Sequence, residues 1–206
     1  TLAGGILGGI FGPWASTFTR GLLEIPYLGT YLSLAVVASL AMLAVSRIDI
    51  PAPSGNALAH AGRPLAEIAR QPAFLLAVLA AATGYGVMNL LMVATPLAMD
   101  ICRLPYADTA FVLEWHVIGM FAPSFFTGDL IKRFGVLRVI GTGAALLAAC
   151  SAIALAGVTL MHFWWALLLL GIGWNFMYIG GTTLLTETYR SEEKAKAQGT
   201  NDFVVF

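Results

Sequence analysis

Two ionisable side chains, Glu114 and His116, lie inside an otherwise apolar stretch of the sequence. A charged side chain at the centre of a membrane helix costs roughly 2.5–3.5 kcal/mol on insertion scales, so a chain that keeps one directs it toward water or a partner. Carboxyl and imidazole groups are also the groups that transfer protons near neutral pH. The pair therefore predicts a proton-coupling function for this stretch.

Two positions apart on a helix, Glu114 and His116 point about 200° away from each other, so they do not form one site. We expect His116 to face a central cavity, because its helical face continues through Met120 and Pro123. Glu114 is then solvated near the outer surface. The alternative is that neither residue is coupled to protons and both lie in the outer interface of the membrane.

Further polar and aromatic side chains interrupt the apolar segments at residue 89 and at residues 174–182. At about 100° per residue, Asn175, Tyr178 and Thr182 share one helix face, which Trp174 adjoins. This face, together with Asn89, predicts the lining of a solute cavity. Because buried amides also join membrane helices by hydrogen bonds, a structural function for Asn175 is an equal alternative.

The composition indicates whether the chain folds in water or in a membrane. Of its 206 residues, 59% are hydrophobic and 11% are charged, against roughly 25% charged residues in an average soluble domain. The mean hydropathy is +0.83. Eleven basic and eleven acidic residues are too few to cover the surface of a soluble chain of this length. The sequence therefore predicts an integral membrane protein.

Enzyme, metal and nucleic-acid functions find no support in the sequence. The three histidines show no metal-ligand spacing, and no glycine-rich phosphate loop is followed by Lys and Ser or Thr. A formal net charge of zero disfavours binding to nucleic acid. We expect no enzyme activity, metal or cofactor, and we expect as partners a small-molecule solute, protons or another coupling ion, and the lipid bilayer.

Apolar segments of about the 20 residues that a bilayer-spanning helix needs recur along the chain. Six complete candidates cover residues 2–19, 27–46, 74–98, 109–131, 139–161 and 163–186, and a seventh begins near residue 200. Because the sequence begins and ends in apolar segments, we expect it to be a fragment of a larger protein.

The loops between these segments differ in their content of basic residues. The loops at 47–73, 132–138 and 190–196 hold nine of the eleven bases, and the alternate loops hold Arg20 and Arg103. Because Lys and Arg concentrate in cytoplasmic loops, the first set is predicted to be cytoplasmic. The loop at 47–73 contains four prolines and predicts a linker with one short amphipathic helix around PLAEIAR.

Several segments are similar to those of one transporter family. GDLIKRFGVLR, residues 128–138, resembles the short cytoplasmic signature loop of the major facilitator superfamily, with Lys132 in place of the family's acid. RQPAF, ATPLAM, GMFAPSFFTG and TETYRSEEKAKAQG are similar to parts of the seventh, eighth and tenth helices of bacterial members. The resemblance covers essentially the whole chain.

The resemblance implies an all-α membrane protein, a fragment of the twelve-helix major facilitator fold from about the fifth helix to the start of the eleventh. Six transmembrane helices are then complete and a seventh is truncated. Residues 1–46 become the last two helices of the N-terminal bundle, residues 47–73 the cytoplasmic inter-bundle loop, and residues 74–206 the truncated C-terminal bundle.

The resemblance also implies that the charged hairpin is a cytoplasmic gate, to which we assign Gly128, Asp129, Lys132, Arg133, Gly135, Arg138 and Glu187. We expect Glu187 to bridge to Arg133 or Arg138 in the outward-facing state, with local pairing to Arg190 as the alternative. The hairpin has its own alternative, that of a basic turn that only sets the topology.

The first segment, GGILGGIFGPW, repeats glycine every four residues at Gly4, Gly8 and Gly12, with Gly5 and Gly9 on an adjacent row. Small residues at this spacing predict close helix packing in lipid. Gly8, Gly12 and the following proline also match part of the family's antiporter signature, but the glycine pair that the signature then requires is absent. Packing is the favoured explanation.

We therefore expect secondary active transport of a small organic solute by alternating access, with proton-coupled export as the first hypothesis and an uptake carrier of the same fold as the second. A non-transporting membrane subunit or receptor that retains the fold is the alternative from another class. The expected location is the inner membrane of a bacterium, as a multi-pass protein.

Overall fold

The computed structural model describes residues 2–49 and 62–206, so part of the predicted linker lies outside the described residues. Within these ranges the chain forms nine α-helices and a 3₁₀ turn at Ser191–Glu193. The helices are α1 (Leu2–Thr19), α2 (Leu28–Val45), α3 (Leu65–Ala69), α4 (Pro72–Ile101), α5 (Tyr106–Phe121), α6 (Ser124–Phe134), α7 (Val136–Ala156), α8 (Leu160–Thr186) and α9 (Lys194–Val205).

The described helices include four that are long and apolar enough to cross a membrane, namely α2, α4, α7 and α8. Helices α5 and α6 pass the same test together as one bent span. Helix α1 occupies the predicted segment 2–19 but is not among these helices, since it carries five glycines and Pro13. Each predicted segment is thus helical, as a bent pair of helices at 109–131 and as one helix elsewhere, and the predicted amphipathic helix in the linker forms α3.

Three predicted segments differ from the observed helices. The segment predicted at 109–131 forms two helices, α5 and α6, which meet at a 43° bend and together pass the test for one span. Pro123 lies at this bend, where its missing N–H and its ring interrupt the helix. The segment predicted at 139–161 ends earlier, at Ala156, because extended backbone at Gly157 separates α7 from α8. The last helix begins at Lys194 and not near residue 200.

Helix α8 is the centre of the bundle, and three of its glycines allow three neighbours to approach closely. A Cβ atom on Gly171 would lie 2.5 Å from the carbonyl oxygen of His116 in α5. A Cβ atom on Gly173 would lie 3.0 Å from the Gly143 carbonyl oxygen in α7, and one on Gly181 would lie 2.8 Å from the Ala77 carbonyl oxygen in α4. Such contacts between small residues drive helix association in lipid, where the hydrophobic effect does not.

Helix α1 packs antiparallel along α5 through Gly5 and Gly9, one of its two glycine rows. Gly5 contacts the ring of Phe121, and Gly9 lies so close to Val117 that a Cβ atom would overlap it. At the other end of α1, the hydroxyls of Ser16 and Tyr106 are 2.7 Å apart. The row of Gly4, Gly8 and Gly12 has no such neighbour among the described residues, so close packing uses the adjacent row.

Candidate functional site

One strip of α8 faces the gap between α4 and α5. Met177 and Gly181 contact α4, whereas Gly171 and Asn175 contact α5. At about 100° per residue, Trp174 and Tyr178 fall on the strip between these two sets of contacts. They therefore lie on the side of α8 between α4 and α5, where Trp174 is buried and Tyr178 is partly exposed.

The side chains of Trp174 and Tyr178 stack on each other in this gap. Their ring centroids are 5.0 Å apart and the ring planes differ by 9°. Trp174 is only 9% exposed, and its indole Nε1 is buried without a hydrogen bond to any described residue. The pair is thus a largely buried aromatic stack with one hydrogen-bond donor that no described residue uses.

Residues of α4 and α9 complete this region. The rings of Tyr85 and Phe206 meet edge to face at 4.7 Å between centroids. Tyr178 is close enough to Tyr85 and to the Asp202 carboxylate for electrostatic interaction. We call the five residues Tyr85, Trp174, Tyr178, Asp202 and Phe206 the aromatic groove.

Sequence reasoning identified only Trp174 and Tyr178 of the aromatic groove. Asp202 was detectable, because an acid in the apolar segment NDFVVF is unusual within a membrane helix. Tyr85 and Phe206 carried no such signal, since aromatic residues at helical spacing are common in any apolar helix. Asn89, which was predicted to line the cavity, is exposed and lies one turn after Tyr85, on the same side of α4.

Asn175 joins α8 to the bend between α5 and α6. Its amide nitrogen donates to the Met120 carbonyl oxygen and to the Ser124 hydroxyl, each at 2.6 Å. Its amide oxygen accepts a 2.7 Å hydrogen bond from the Thr127 hydroxyl. The side chain is fully buried. Of the two alternatives for Asn175, these contacts are those of structural hydrogen bonding, and a solute contact stays a prediction.

Thr182 continues the predicted face of α8 by one further turn. Its hydroxyl donates a 2.8 Å hydrogen bond to the carbonyl oxygen of Tyr178 in the same helix. The side chain is partly buried. Its hydrogen-bonding capacity is thus used within α8, and its place in a solute cavity remains a prediction.

His116 lies inside the helix bundle. Its Nδ1 is 2.9 Å from the carbonyl oxygen of Leu167, and because a carbonyl only accepts, Nδ1 carries the hydrogen. The ring is fully buried, and its Nε2 has no hydrogen-bond partner among the described residues. The close approach of α5 and α8 thus directs the ring against α8, and the place of His116 at a central cavity stays a prediction.

Glu114 lies on the opposite side of α5 from His116 and is partly exposed. No ion pair joins it to a base in the described ranges. Coupling of either residue to protons stays a prediction, with no structural feature that favours it.

The charged hairpin is exposed and weakly connected. Gly135 forms the turn between α6 and α7 with a φ of +88°, a conformation that favours glycine. The described contacts include an ion pair of Lys132 with Asp129 at 3.4 Å, whose side chains are 82% and 80% exposed. Arg133 lies over the ring of Phe134 in its own helix. Gly128 and Arg138 are also exposed.

Glu187 ends α8 at the same side of the bundle as the hairpin and is exposed. In the part of the chain that the structure describes, it forms no ion pair with Arg133, Arg138 or Arg190. Its predicted bridge belongs to the outward-facing state and remains a prediction.

Another charged contact lies at the same side of the bundle, and its carboxylate has a complete set of hydrogen bonds. This contact was not predicted from the sequence. The Nη2 of Arg63 is 2.7 Å from Oε2 of Glu193, and its Nε is 2.9 Å from Oε1. The backbone N–H groups of Arg63 and Arg190 also donate to this carboxylate, at 2.7 and 2.9 Å. Glu193 is fully buried. We call this arrangement the Arg63 clamp.

The Arg63 clamp extends to neighbouring backbone groups. Nη2 of Arg63 and Nε2 of Gln71 both donate to the carbonyl oxygen of Thr188, each at 3.0 Å. Nζ of Lys196 donates to the carbonyl oxygen of Arg63 at 2.9 Å. Hydrogen bonds from Arg63 and from the Arg190 backbone hold the pKa of Glu193 well below its usual range. The clamp thus fixes the segment before α4 to the turn before α9.

Comparisons with known proteins agree with this architecture. The model of the Major Facilitator Superfamily matches residues 1–206. The chain is 41% identical over 208 residues to the riboflavin transporter RfnT of Brucella anthropi, covering 100% of this chain and 52% of that protein. It is 36% identical over 121 residues to each of two uncharacterized MFS-type transporters of Bacillus subtilis, YddS and YdeG, covering 58% of this chain and 28% of each.

No solved structure was found to match the chain. The chain thus spans about half the length of the first of these relatives, whose name states a transported vitamin. One family model matches all residues of the chain, and the apolar helices agree with that match. This chain therefore belongs to the Major Facilitator Superfamily, a family of all-α, multi-pass membrane transporters, and is not an enzyme.

Proposed function

We propose that the protein transports a planar aromatic solute of the flavin type across the membrane by alternating access. The stacked pair of Trp174 and Tyr178 in the gap between α4 and α5 is the observation that supports this solute class. The similarity to a protein named as a riboflavin transporter supports the same class independently. The bacterial relatives support a location in a bacterial inner membrane.

The chemistry of the aromatic groove suits a flat ring with a polar edge. Offset stacking on an aromatic side chain is worth about 0.5–1.5 kcal/mol beyond the area it buries. A flavin ring also carries carbonyl and N–H groups on one edge, which need hydrogen-bond partners away from water. The unused indole N–H of Trp174 is one donor of the required kind.

Alternating access requires two bundles that move relative to each other. If residues 1–46 belong to the N-terminal bundle, the contact of α1 with α5 is a contact between bundles. At Gly5 and Gly9 no side chain projects from α1 into this contact. The Ser16–Tyr106 hydrogen bond joins α1 to α5 near the outer end of the contact. We propose that Asn89, Trp174 and Tyr178 line the solute path beside this contact, with Asn175 and Thr182 supporting it from α8.

The proposal is tested by riboflavin flux into and out of proteoliposomes that contain the full-length protein. Trp174→Ala should raise the KM for riboflavin roughly tenfold, because loss of one stacking surface costs about 1.4 kcal/mol. Trp165→Ala is the matched control, since Trp165 is 49% exposed at the start of α8, away from the aromatic groove. A wild-type protein that moves no riboflavin would refute the proposal.

The same vesicles decide the direction and coupling of transport. We propose proton-coupled export as the first hypothesis, with uptake by the same fold as the alternative. An imposed pH gradient that drives riboflavin against its concentration gradient, in the direction opposite to proton movement, supports export by exchange. Movement of riboflavin in the same direction as protons supports the uptake carrier.

A further inference from the structure

We propose that a groove beside the charged hairpin binds one anionic phospholipid, with the lipid phosphate on Arg138 and part of an acyl chain further along the groove. The groove lies between α6, α7 and α8 and has a volume of about 330 Å³. Its lining residues are Leu130, Phe134, Arg138, Val139, Thr142 and Phe176. We call it the hairpin groove.

The hairpin groove lies on a different side of α8 from the aromatic groove. Phe176 stands two residues after Trp174 and two before Tyr178, so it points about 200° away from each of them around the helix. Helices α4 and α9 contribute none of the residues that line the hairpin groove. A molecule bound in it is therefore separate from a solute on the proposed transport path.

The lining of the hairpin groove is apolar apart from Arg138 and Thr142. Val139 is buried and Phe176 is partly buried, whereas Phe134 is 46% exposed. The hydroxyl of Thr142 donates a 2.9 Å hydrogen bond to the Arg138 carbonyl oxygen in its own helix, so it needs no polar partner from a ligand. Such a lining favours a hydrocarbon chain over a polar solute.

The hairpin groove extends from the predicted cytoplasmic end of the bundle toward the membrane interior. Arg138 is the third residue of α7, and Thr142 lies one turn further on, roughly 6 Å along the axis at 1.5 Å per residue. Phe176 stands ten residues before the end of α8, which corresponds to roughly 15 Å. The charged side chain thus lies at the level of lipid headgroups and the apolar lining at the level of acyl chains.

The hairpin carries more positive charge than its own acid balances. It holds one acid and three bases, a net charge of +2. Asp129 pairs with Lys132, whereas in the described ranges no acid pairs with Arg133 or Arg138. The guanidinium of Arg133 lies 5.2 Å from the ring centroid of Phe134, which lines the groove. Two guanidinium groups therefore stand at the charged end of the groove.

An anionic phospholipid matches both the charged and the apolar part of the hairpin groove. A guanidinium presents its N–H donors in a planar fork that fits the oxygens of a phosphate. The aliphatic stem of an arginine can cover apolar surface while its charged head stays in water, which suits Arg138 at the membrane surface. A zwitterionic lipid carries a cation beside its phosphate, so the net positive charge of the hairpin favours the anionic lipid.

The experiment measures lipid binding to the full-length protein in detergent by native mass spectrometry. The delipidated protein is titrated with phosphatidylglycerol and, separately, with phosphatidylcholine of the same acyl chains. We expect phosphatidylglycerol to bind more tightly to the wild type. Arg138→Gln should weaken it about fivefold, the effect of one base near an anionic headgroup, and should leave phosphatidylcholine unchanged. Arg47→Gln is the matched control, because this exposed base follows α2 at the same predicted side and does not line the groove.

Thr142→Phe tests the apolar part of the groove without a change of charge. Thr142 is exposed and lines the groove, so an added ring can take the volume of the acyl chain without entering the packed core. We expect this variant to bind less phosphatidylglycerol than the wild type. Glycerol 3-phosphate, which has the phosphate but no acyl chain, should not displace phosphatidylglycerol at equal concentration.

Each other outcome overturns the inference. Equal binding of the two lipids to the wild type shows no preference for an anionic headgroup. Unchanged binding of phosphatidylglycerol by Arg138→Gln, or an equal loss in Arg47→Gln, makes net charge and not the groove the cause. Unchanged binding by Thr142→Phe, or displacement by glycerol 3-phosphate, leaves a surface anion site without a bound chain. If Arg138→Gln does not fold, Thr142→Phe decides alone. None of these measurements uses riboflavin flux, so their failure is distinct from failure of the proposed function.

Discussion

Two charged regions lie at the predicted cytoplasmic end of the bundle, and they differ in almost every physical respect. The hairpin at 128–138 concentrates one acid and three bases in eleven residues, yet its ion pair is exposed and 3.4 Å long. The Arg63 clamp joins residues 130 positions apart through a fully buried carboxylate with four N–H donors. Local density of charge therefore does not identify the built electrostatic contact.

The two regions differ because water and salt weaken an exposed ion pair more than a buried one. An exposed pair is weakened by water and salt and loses side-chain entropy when it forms. A buried carboxylate must have its hydrogen bonds satisfied, and removal of one partner leaves the others unpaired. Among the described residues the clamp is thus the buried, fully hydrogen-bonded contact, whereas the charges of the hairpin are exposed to water.

The largest expected effect is that of Glu193→Ala. The substitution leaves the guanidinium of Arg63 and the backbone N–H groups of Arg63 and Arg190 without their acceptor. We expect a fall of several degrees in the apparent melting temperature in detergent, and a lower yield of folded protein by size-exclusion chromatography. Glu192→Ala is the matched control, because this neighbouring acid is exposed. Equal melting temperatures for the two variants would show that the clamp is not stabilising.

The second prediction concerns the backbone that permits the clamp. Gly62 has a φ of +53°, where a side chain costs roughly 1–2 kcal/mol. A Cβ atom there would also lie 2.6 Å from Cγ of Glu193, which its hydrogen bonds hold in place. Gly62→Ala should therefore lower the apparent melting temperature, by less than Glu193→Ala. Gly128→Ala in the hairpin is the control, since a Cβ atom there meets nothing within 4 Å.

The third prediction is a pH dependence of the clamp. The pKa of Glu193 is lowered from its ordinary value of 4.5, so the carboxylate stabilises the folded state above that pH and loses this contribution as the pH falls toward the folded pKa. The difference in melting temperature between wild type and Glu193→Gln should thus be constant at neutral pH and shrink on acidification below about 4.5. A difference that stays constant at low pH would contradict this origin of the stabilisation.

Much of the fold could be predicted from the sequence, because hydrophobic length and loop charge are local properties. The segment 2–19 forms a helix at those residues, and the predicted segment 27–46 forms α2 to within one residue at each end. The bend at Pro123 was not predicted, since proline in a membrane helix can either continue or break it depending on its neighbours. Here Asn175 of α8 binds the Met120 carbonyl at the bend.

The site was predicted less completely, because its parts come from distant positions. Trp174 and Tyr178 share a helix and were found by their spacing. Arg63 and Glu193 gave no sequence signal of their pairing, since 130 residues separate them. The packing of His116 against α8 was not predicted, because spacing shows which residues share a face but not which neighbour that face meets.

The fourth prediction tests the mobile contacts expected of the hairpin. If Glu187 bridges to Arg133 in the outward-facing state, then Glu187→Arg and Arg133→Glu should each reduce transport, and the double exchange should recover part of the loss. The structure contains no such pair among its described residues, so the variants should leave the melting temperature of this state unchanged. Strictly additive losses of transport would favour local pairing of Glu187 with Arg190.

The smallest expected effect is that of Lys132→Ala. Exposed helical pairs such as Lys132 with Asp129 contribute only about 0.3–0.5 kcal/mol, and salt screens them further. We therefore expect a melting temperature equal to that of wild type within error, at both low and high salt. Because Lys132 stands where the family's signature loop has an acid, Lys132→Asp is the more informative variant of the same position. If Lys132→Asp strengthens the contacts of the hairpin, riboflavin exchange should slow, because a contact that holds one state longer delays each transport cycle. The Arg63 clamp and the melting temperature should stay unchanged. A Lys132→Ala variant that melts as early as Glu193→Ala would instead show that the exposed hairpin, and not the buried clamp, holds this end of the bundle together.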